Sequence, residues 1–249
     1  MDLWGHEEEE EKERAPAAAE EQGTPYGARY KNHDELAAAI RQCAACPLRQ
    51  EGNLGPVLST GPADAPLMIV GEGPGAVEDD YGAPLVGPSG QLLDKALASV
   101  GITRDHVYVT NIVKCRPRGN RTPDIAEGKF CADLWLRAEI RLTEPKVVVA
   151  LGKAALRFFL GHDGSIIRSR GQWIEWEGIP VMPTFHPAYL LRQYGRDLVQ
   201  SKWNVYYDLK AAKDRAAAAA PDWVWKSDPA PDLLGSLAQV RAARHSRTK

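Results

Sequence analysis

The sequence predicts an α/β fold of three layers, α/β/α, built on a mostly parallel four-stranded central sheet. Three observations carry that prediction. Short apolar runs alternate with amphipathic stretches through the middle of the chain, as strands interleaved with helices do. The runs are near-continuous in Val, Ile, Leu and Met, as strands covered on both faces require. The chain has 249 residues, 44% hydrophobic and 26% charged, which suits one domain of moderate size with trailing tails.

Taken in order, residues 1–24 combine a Glu run with Ala, Pro and Gln and offer little to bury, so they read as a disordered acidic tail. One domain is expected over 25–220. Helical periodicity fits 34–42, 89–100, 125–142, 153–160 and 202–215, and buried strands are expected at 67–70, 107–110, 147–151 and 180–184. The alanines at 216–220 end the last helix, and Pro221 stops it. From 221 to 249 the composition turns to Pro, Ser, Asp and Arg. That predicts a flexible C-terminal tail, with Trp223 and Trp225 as anchors back onto the domain.

Charge and composition exclude several classes. No apolar run approaches the roughly 20 residues that a membrane-spanning helix needs. The N-terminus is acidic where a secretory signal would be basic and then apolar, so no export is expected. The formal charge is −2, but residues 1–24 hold nine acidic and two basic side chains, leaving the remaining 225 residues at about +5. A mildly basic body admits a nucleic-acid partner. In a reducing compartment, Cys43, Cys46, Cys115 and Cys131, with their single C-x-x-C pair, read as a metal or iron–sulfur site. Four thiolates suit zinc or an iron–sulfur cluster alike, although Cys115 and Cys131 do not form the second C-x-x-C knuckle usual in zinc ribbons.

In open sheets of this kind ligands bind beyond the carboxyl ends of the strands, so the chemistry is sought there. The first strand runs into Gly71-Glu72-Gly73-Pro74-Gly75, where glycines let a ligand approach the backbone; the spacing is not that of a dinucleotide fingerprint. Glu72 stands at the mouth, with Glu78 close behind. The second strand delivers Asn111, a donor and acceptor able to read an amide-like edge. Lys114, Arg116, Arg118 and Arg121 follow in a short basic loop suited to a phosphate backbone. The fourth strand delivers His186, Pro187, Leu190 and Arg192, an apolar wedge beside a cation, as entry into a base stack requires.

In this order these segments resemble the family 4 uracil-DNA glycosylases, the iron–sulfur branch of the uracil glycosylase superfamily. The likeness covers roughly 36–212. It runs through Cys43-Ala44-Ala45-Cys46-Pro47-Leu48, the 71–75 loop and Val86-Gly87-Pro88-Ser89-Gly90-Gln91-Leu92-Leu93. It continues through Thr110-Asn111-Ile112-Val113-Lys114-Cys115-Arg116-Pro117, Cys131 and His186-Pro187-Ala188-Tyr189-Leu190-Leu191-Arg192.

The resemblance implies a monofunctional glycosylase that flips uracil out of DNA and leaves an abasic site, with one [4Fe–4S] cluster on the four cysteines. It implies that Gly71, Glu72, Gly73, Leu85, Asn111 and His186 contact the base, that Asn111 disfavours cytosine, and that His186 donates to O2 of the departing base. Glu72 is expected to place the base and Glu78 to activate water. Leu190 is expected to fill the vacated stack. Relatives usually carry Phe where this chain has Leu85, which opens the alternative of another modified base. An iron–sulfur redox protein and a catalytically silent nucleic-acid-binding module are the other readings. The expected setting is a cytoplasmic monomer acting on DNA, with no membrane partner.

Overall fold

Every residue of β1 (Leu67–Gly71), β2 (Val107–Asn111) and β3 (Val147–Leu151) is buried, the environment that their apolar runs require. These strands belong to a computed structural model that describes residues 29–225 and 237–246. The sheet has five strands rather than four. A short strand, β4 (Ile174–Trp176), pairs antiparallel with β5 (Ile179–Thr184), and the order is β2-β1-β3-β5-β4 with all other pairings parallel. The fifth strand escapes the sequence pattern because it is three residues long with Glu175 at its centre. Its hairpin is turned by Glu177 and Gly178, both at positive φ, as tight two-residue hairpin turns require.

Alternation along the strands divides the core in two. Met68, Val70, Val148 and Ala150 face one layer, made of α1 (His33–Arg41), α4 (Ile125–Cys131), α5 (Arg137–Thr143) and α6 (Gly152–Leu160). Leu67, Ile69, Val147 and Val149 face the other, made of α3 (Pro88–Ser99) and α9 (Gly195–Ala219). The three expected layers are present. The expected 125–142 helix is interrupted at Ala132–Leu136 by a π-helical turn, directly after Cys131. Short helices α2 (Ala76–Tyr81), α7 (Ile166–Ser169) and α8 (Pro187–Leu190) follow strand ends or loops and are too brief to show periodicity.

The acidic tail at 1–24 lies outside the described residues. Of the expected C-terminal tail, residues 221–225 and 237–246 are described. Trp223 packs on the first core and Trp225 on the second, stacked 6.1 Å from His106. Helix α10 (Ala238–Ser246) then packs on α2, where Arg244 donates to the carbonyls of Asp79, Pro56 and Gly55 at 2.8–2.9 Å and Arg241 pairs with Asp80 at 2.6 Å. Composition suggested solvation, but these arginines meet α2's carboxylates and a set of open carbonyls.

Candidate active site

β1 connects to β2 on one side of the sheet and lies against β3 on the other, so the chain reverses direction at β1 and leaves a crevice beyond the strand ends. A cavity of about 590 Å³ occupies it, lined among others by Glu72, Gly73, Leu85, His186, Tyr189 and Arg192.

Asn111 stands at the end of β2, in register with Gly71 at the end of β1. A Cβ at Gly71 would lie 2.3 Å from Asn111 Oδ1, so only glycine lets the amide lie against the neighbouring strand. The same point is 3.6 Å from a Leu85 methyl, which places Gly71, Leu85 and Asn111 together. Asn111 is buried, and its Oδ1 has no hydrogen-bond partner among the described residues. Such an orphan acceptor costs stability unless a ligand supplies a donor.

His186 is the N-cap of α8, and its Nδ1 accepts from the Ala188 amide at 3.1 Å. That bond puts the ring proton on Nε2. Burial lowers the imidazole pKa to about 4, so the ring is neutral at neutral pH. His186 is thus an uncharged, largely buried N–H donor on the cavity wall.

The two carboxylates differ. Glu72 is partly buried on the cavity wall, and desolvation raises its pKa despite a hydrogen bond from Thr122 and the field of Arg157. Glu78 also lines the cavity, but its oxygens are engaged by backbone. Oε2 accepts from Gly75 N–H at 3.1 Å, and Oε1 from the Val86 and Gly87 amides at 3.0 and 2.8 Å. It ties the 71–75 loop to the 84–87 loop.

The expected DNA-facing residues separate. Arg118 is exposed and its guanidinium makes no ion pair among the described residues; Arg192 is exposed at the cavity rim, and Arg116 is partly exposed. Arg121 also lines the cavity, but its guanidinium is paired with Glu51 at 2.5 Å and Glu127 at 2.7 Å. Pro187 lies buried at the start of α8.

Two expectations are corrected. Lys114 is 2% exposed, with its ammonium on Glu139 at 2.7 Å, Thr110 at 2.5 Å and the Asn111 carbonyl at 3.2 Å, so it braces β2 rather than meeting phosphate. Leu190 is buried in the second core, whereas the next residue, Leu191, is 48% exposed. The helical turn of α8 points Leu190 inward and leaves Leu191 exposed. Sequence reasoning also missed Tyr189, tilted against Phe185 with ring centroids 4.8 Å apart on the cavity wall, and the exposed Lys153 at the rim. An aromatic beside the His-Pro pair was the available signal for Tyr189; Lys153 had none.

All four cysteines line one small cavity, between the end of α1, the loop after β2 and the end of α4. The Lys114 amide donates to Cys131 Sγ at 3.4 Å. Burial, reinforced by the neighbouring thiols, pushes the Cys115 thiol up to about 12, and burial does the same for Cys131. Among the described residues no three ligand side chains are gathered for a single metal ion.

Comparison with known proteins agrees with this arrangement. Residues 58–210 match the Uracil DNA glycosylase superfamily. The chain is 45% identical over 161 residues to the type-4 uracil-DNA glycosylase of Thermotoga maritima, covering 64% of this chain and 83% of the relative. Against the type-4 uracil-DNA glycosylase of Archaeoglobus fulgidus it is 36% identical over 166 residues, 64% of this chain and 82% of the relative. The type-5 uracil-DNA glycosylase of Pyrobaculum aerophilum is 30% identical over 201 residues, 68% and 88% of the two chains. With residues 58–210 matching the superfamily and type-4 relatives at 36–45% identity over more than four-fifths of their length, the chain belongs to the uracil-DNA glycosylase superfamily, in its type-4 family.

Proposed function

We propose that this chain hydrolyses the N-glycosidic bond of uracil in DNA, releasing the base and leaving an abasic site for repair. One observation carries the reading: the neutral His186 imidazole lines the strand-end crevice, and the orphaned Asn111 oxygen lies against Gly71, beside the Leu85 side chain that lines the same crevice. Uracil presents N3–H beside O4, so Asn111 Oδ1 accepts from N3–H and its amide donates to O4. Cytosine presents the reverse pattern and would leave both groups unpaired, which is the strong form of discrimination. A base inside a duplex cannot reach this crevice; it must be extruded at a cost of a few kcal/mol of stacking and pairing.

As the C1′–N1 bond breaks, its electron pair leaves with the base and negative charge grows on O2. His186 Nε2–H donates there, an interaction stronger in the transition state than in the ground state. A neutral donor suits this task, because a charged imidazolium would already be solvated or paired. Water bonds to C1′ and gives its proton to a carboxylate. Glu72 fits that role better than Glu78, since backbone amides occupy Glu78 and desolvation makes Glu72 the stronger base. Arg118 and Arg192 hold phosphates, and Leu191 enters the stack.

Cys43, Cys46, Cys115 and Cys131 hold a [4Fe–4S] cluster in this reading. Support comes from four thiols on one cavity and from the type-4 relatives, whose family is the iron–sulfur branch the sequence resembles. Cys43, Cys46, Cys115 and Cys131 would hold the cluster as thiolates, its iron would offset part of their charge, and the four ligands would tie the chain after α1 and the loop after β2 to the end of α4.

The test is single-turnover incubation with a uracil-containing oligonucleotide, then alkaline cleavage at abasic sites and identification of the released base. Strand cleavage with free uracil is expected. Intact uracil alongside release of another base from a panel of modified pyrimidines would overturn the substrate. Anaerobically prepared protein should carry about four irons per chain and absorb broadly near 400 nm; stoichiometric zinc without iron would overturn the cluster.

A further inference from the structure

Leu85 carries φ +53°, a left-handed backbone that a branched side chain rarely adopts. It also lines the cavity, with a methyl group beside Gly71, against which the Asn111 amide lies. Something must hold it there, and the surroundings show what does.

Arg104 lies in the short turn Arg104–His106 ahead of β2 and is 7% exposed. Its guanidinium spans the loop: Nη1 donates to the Pro84 carbonyl at 3.1 Å, and Nη2 to the Leu85 carbonyl and, at 3.5 Å, to that of Gly90. Asp94 on α3 orients it through Nε at 2.5 Å. Packing leaves room for nothing else, because a Cβ at Gly90 would lie 1.6 Å from the Leu85 oxygen. From the opposite side, Glu78 accepts the next two amides, Val86 and Gly87. A cation therefore grips consecutive carbonyls and an anion the consecutive amides that follow, so the peptide planes on either side of Leu85 have one orientation.

We propose that Arg104 is a positioning residue that sets base selectivity, fixing Leu85 in its left-handed conformation so that the pocket is closed to pyrimidines larger than uracil at C5. The proposal rests on the reading of the crevice as a base pocket. Arg104 touches no base; it acts through the backbone of the residue that does. Lysine cannot replace it, since one ammonium cannot bridge Pro84, Leu85 and Asp94 in a plane. A hydrophobic wall separates substrates one methyl group apart by roughly 10- to 200-fold, so loosening it should cost selectivity of about tenfold.

The test uses Arg104→Gln and the milder Asp94→Asn, each in the parent and in a Leu85→Gly background, where left-handed backbone is unstrained and no side chain needs placing. Amide hydrogen exchange over 84–90 reads the loop without reference to activity, and single-turnover excision gives the ratio of uracil to 5-methyl- and 5-halo-uracil. Faster exchange over 84–90 is expected in both variants, with an approximately tenfold loss of the uracil preference in the parent and little further loss in Leu85→Gly. Unchanged exchange over 84–90 would overturn the clamp, whatever base the protein removes. Equal loss of selectivity in both backgrounds, or lost protection with selectivity intact, would overturn its role in base choice.

Discussion

Replacing His186 is the perturbation with the clearest arithmetic. The ring is held by one internal bond, Ala188 N–H to Nδ1 at 3.1 Å, and His186 lines the cavity. With the pKa lowered to about 4, no charge is lost on substitution at neutral pH, so the effect isolates one neutral donor. Removing a single donor to a developing oxyanion typically costs about 10²–10³ in rate, or about 2.7–4 kcal/mol. We therefore expect His186→Ala to lower single-turnover excision at least 100-fold while DNA affinity stays within a few-fold, because the ground-state base gains little from the bond. The assay pairs excision rates with binding to DNA carrying a non-hydrolysable uridine analogue. Equal losses of affinity and rate would place His186 in the scaffold and refute the argument. Protonation gives a second check. Charging the buried ring opposes folding, so its contribution to stability is present above pH 6.5, the ordinary value, and is lost as pH falls toward about 4.

Further outcomes follow from the same geometry. Because Glu72 must be ionised to take a proton and desolvation raises its pKa, excision should fall as pH drops through a point above the ordinary value of a glutamate. Glu72→Gln should abolish that acid limb, and Glu78→Gln should leave it in place while lowering thermal stability. Lys114→Ala strands Glu139 in the core and should cost about 3–5 kcal/mol. A thermal melt should show that loss, whereas Arg118→Ala should leave the melt unchanged and flatten the salt dependence of DNA binding by about one phosphate contact. Leu85→Phe should enlarge the wall at C5 and lower excision of 5-methyl- and 5-halo-uracil relative to uracil by about tenfold or more; an unchanged ratio would show that residue 85 does not bound that edge of the base.

Buried strands and their order of chemistry were legible in the sequence, because strands covered on both faces must be continuously apolar and parallel sheets place function at their carboxyl ends. Asn111, His186, the 71–75 loop and the four cysteines were legible for that reason: each stands at or next to an element end, where local pattern and position coincide. The three-residue β4 was not, since a hairpin partner needs only backbone pairing and a two-residue turn. Lys114 and Leu190 show the limit most clearly. A lysine in a basic loop and a leucine in an apolar tip look exposed, yet Glu139, 25 residues on in α5, draws the one inside, and the pitch of α8 turns the other toward α9. Glu78 and Arg104 likewise acquire their grip on Leu85 only when α2, α3 and the turn before β2 converge on one loop. What a residue faces depends on partners distant in sequence. The chain alone determined which chemistry was carried, and packing decided which side chains were free to perform it.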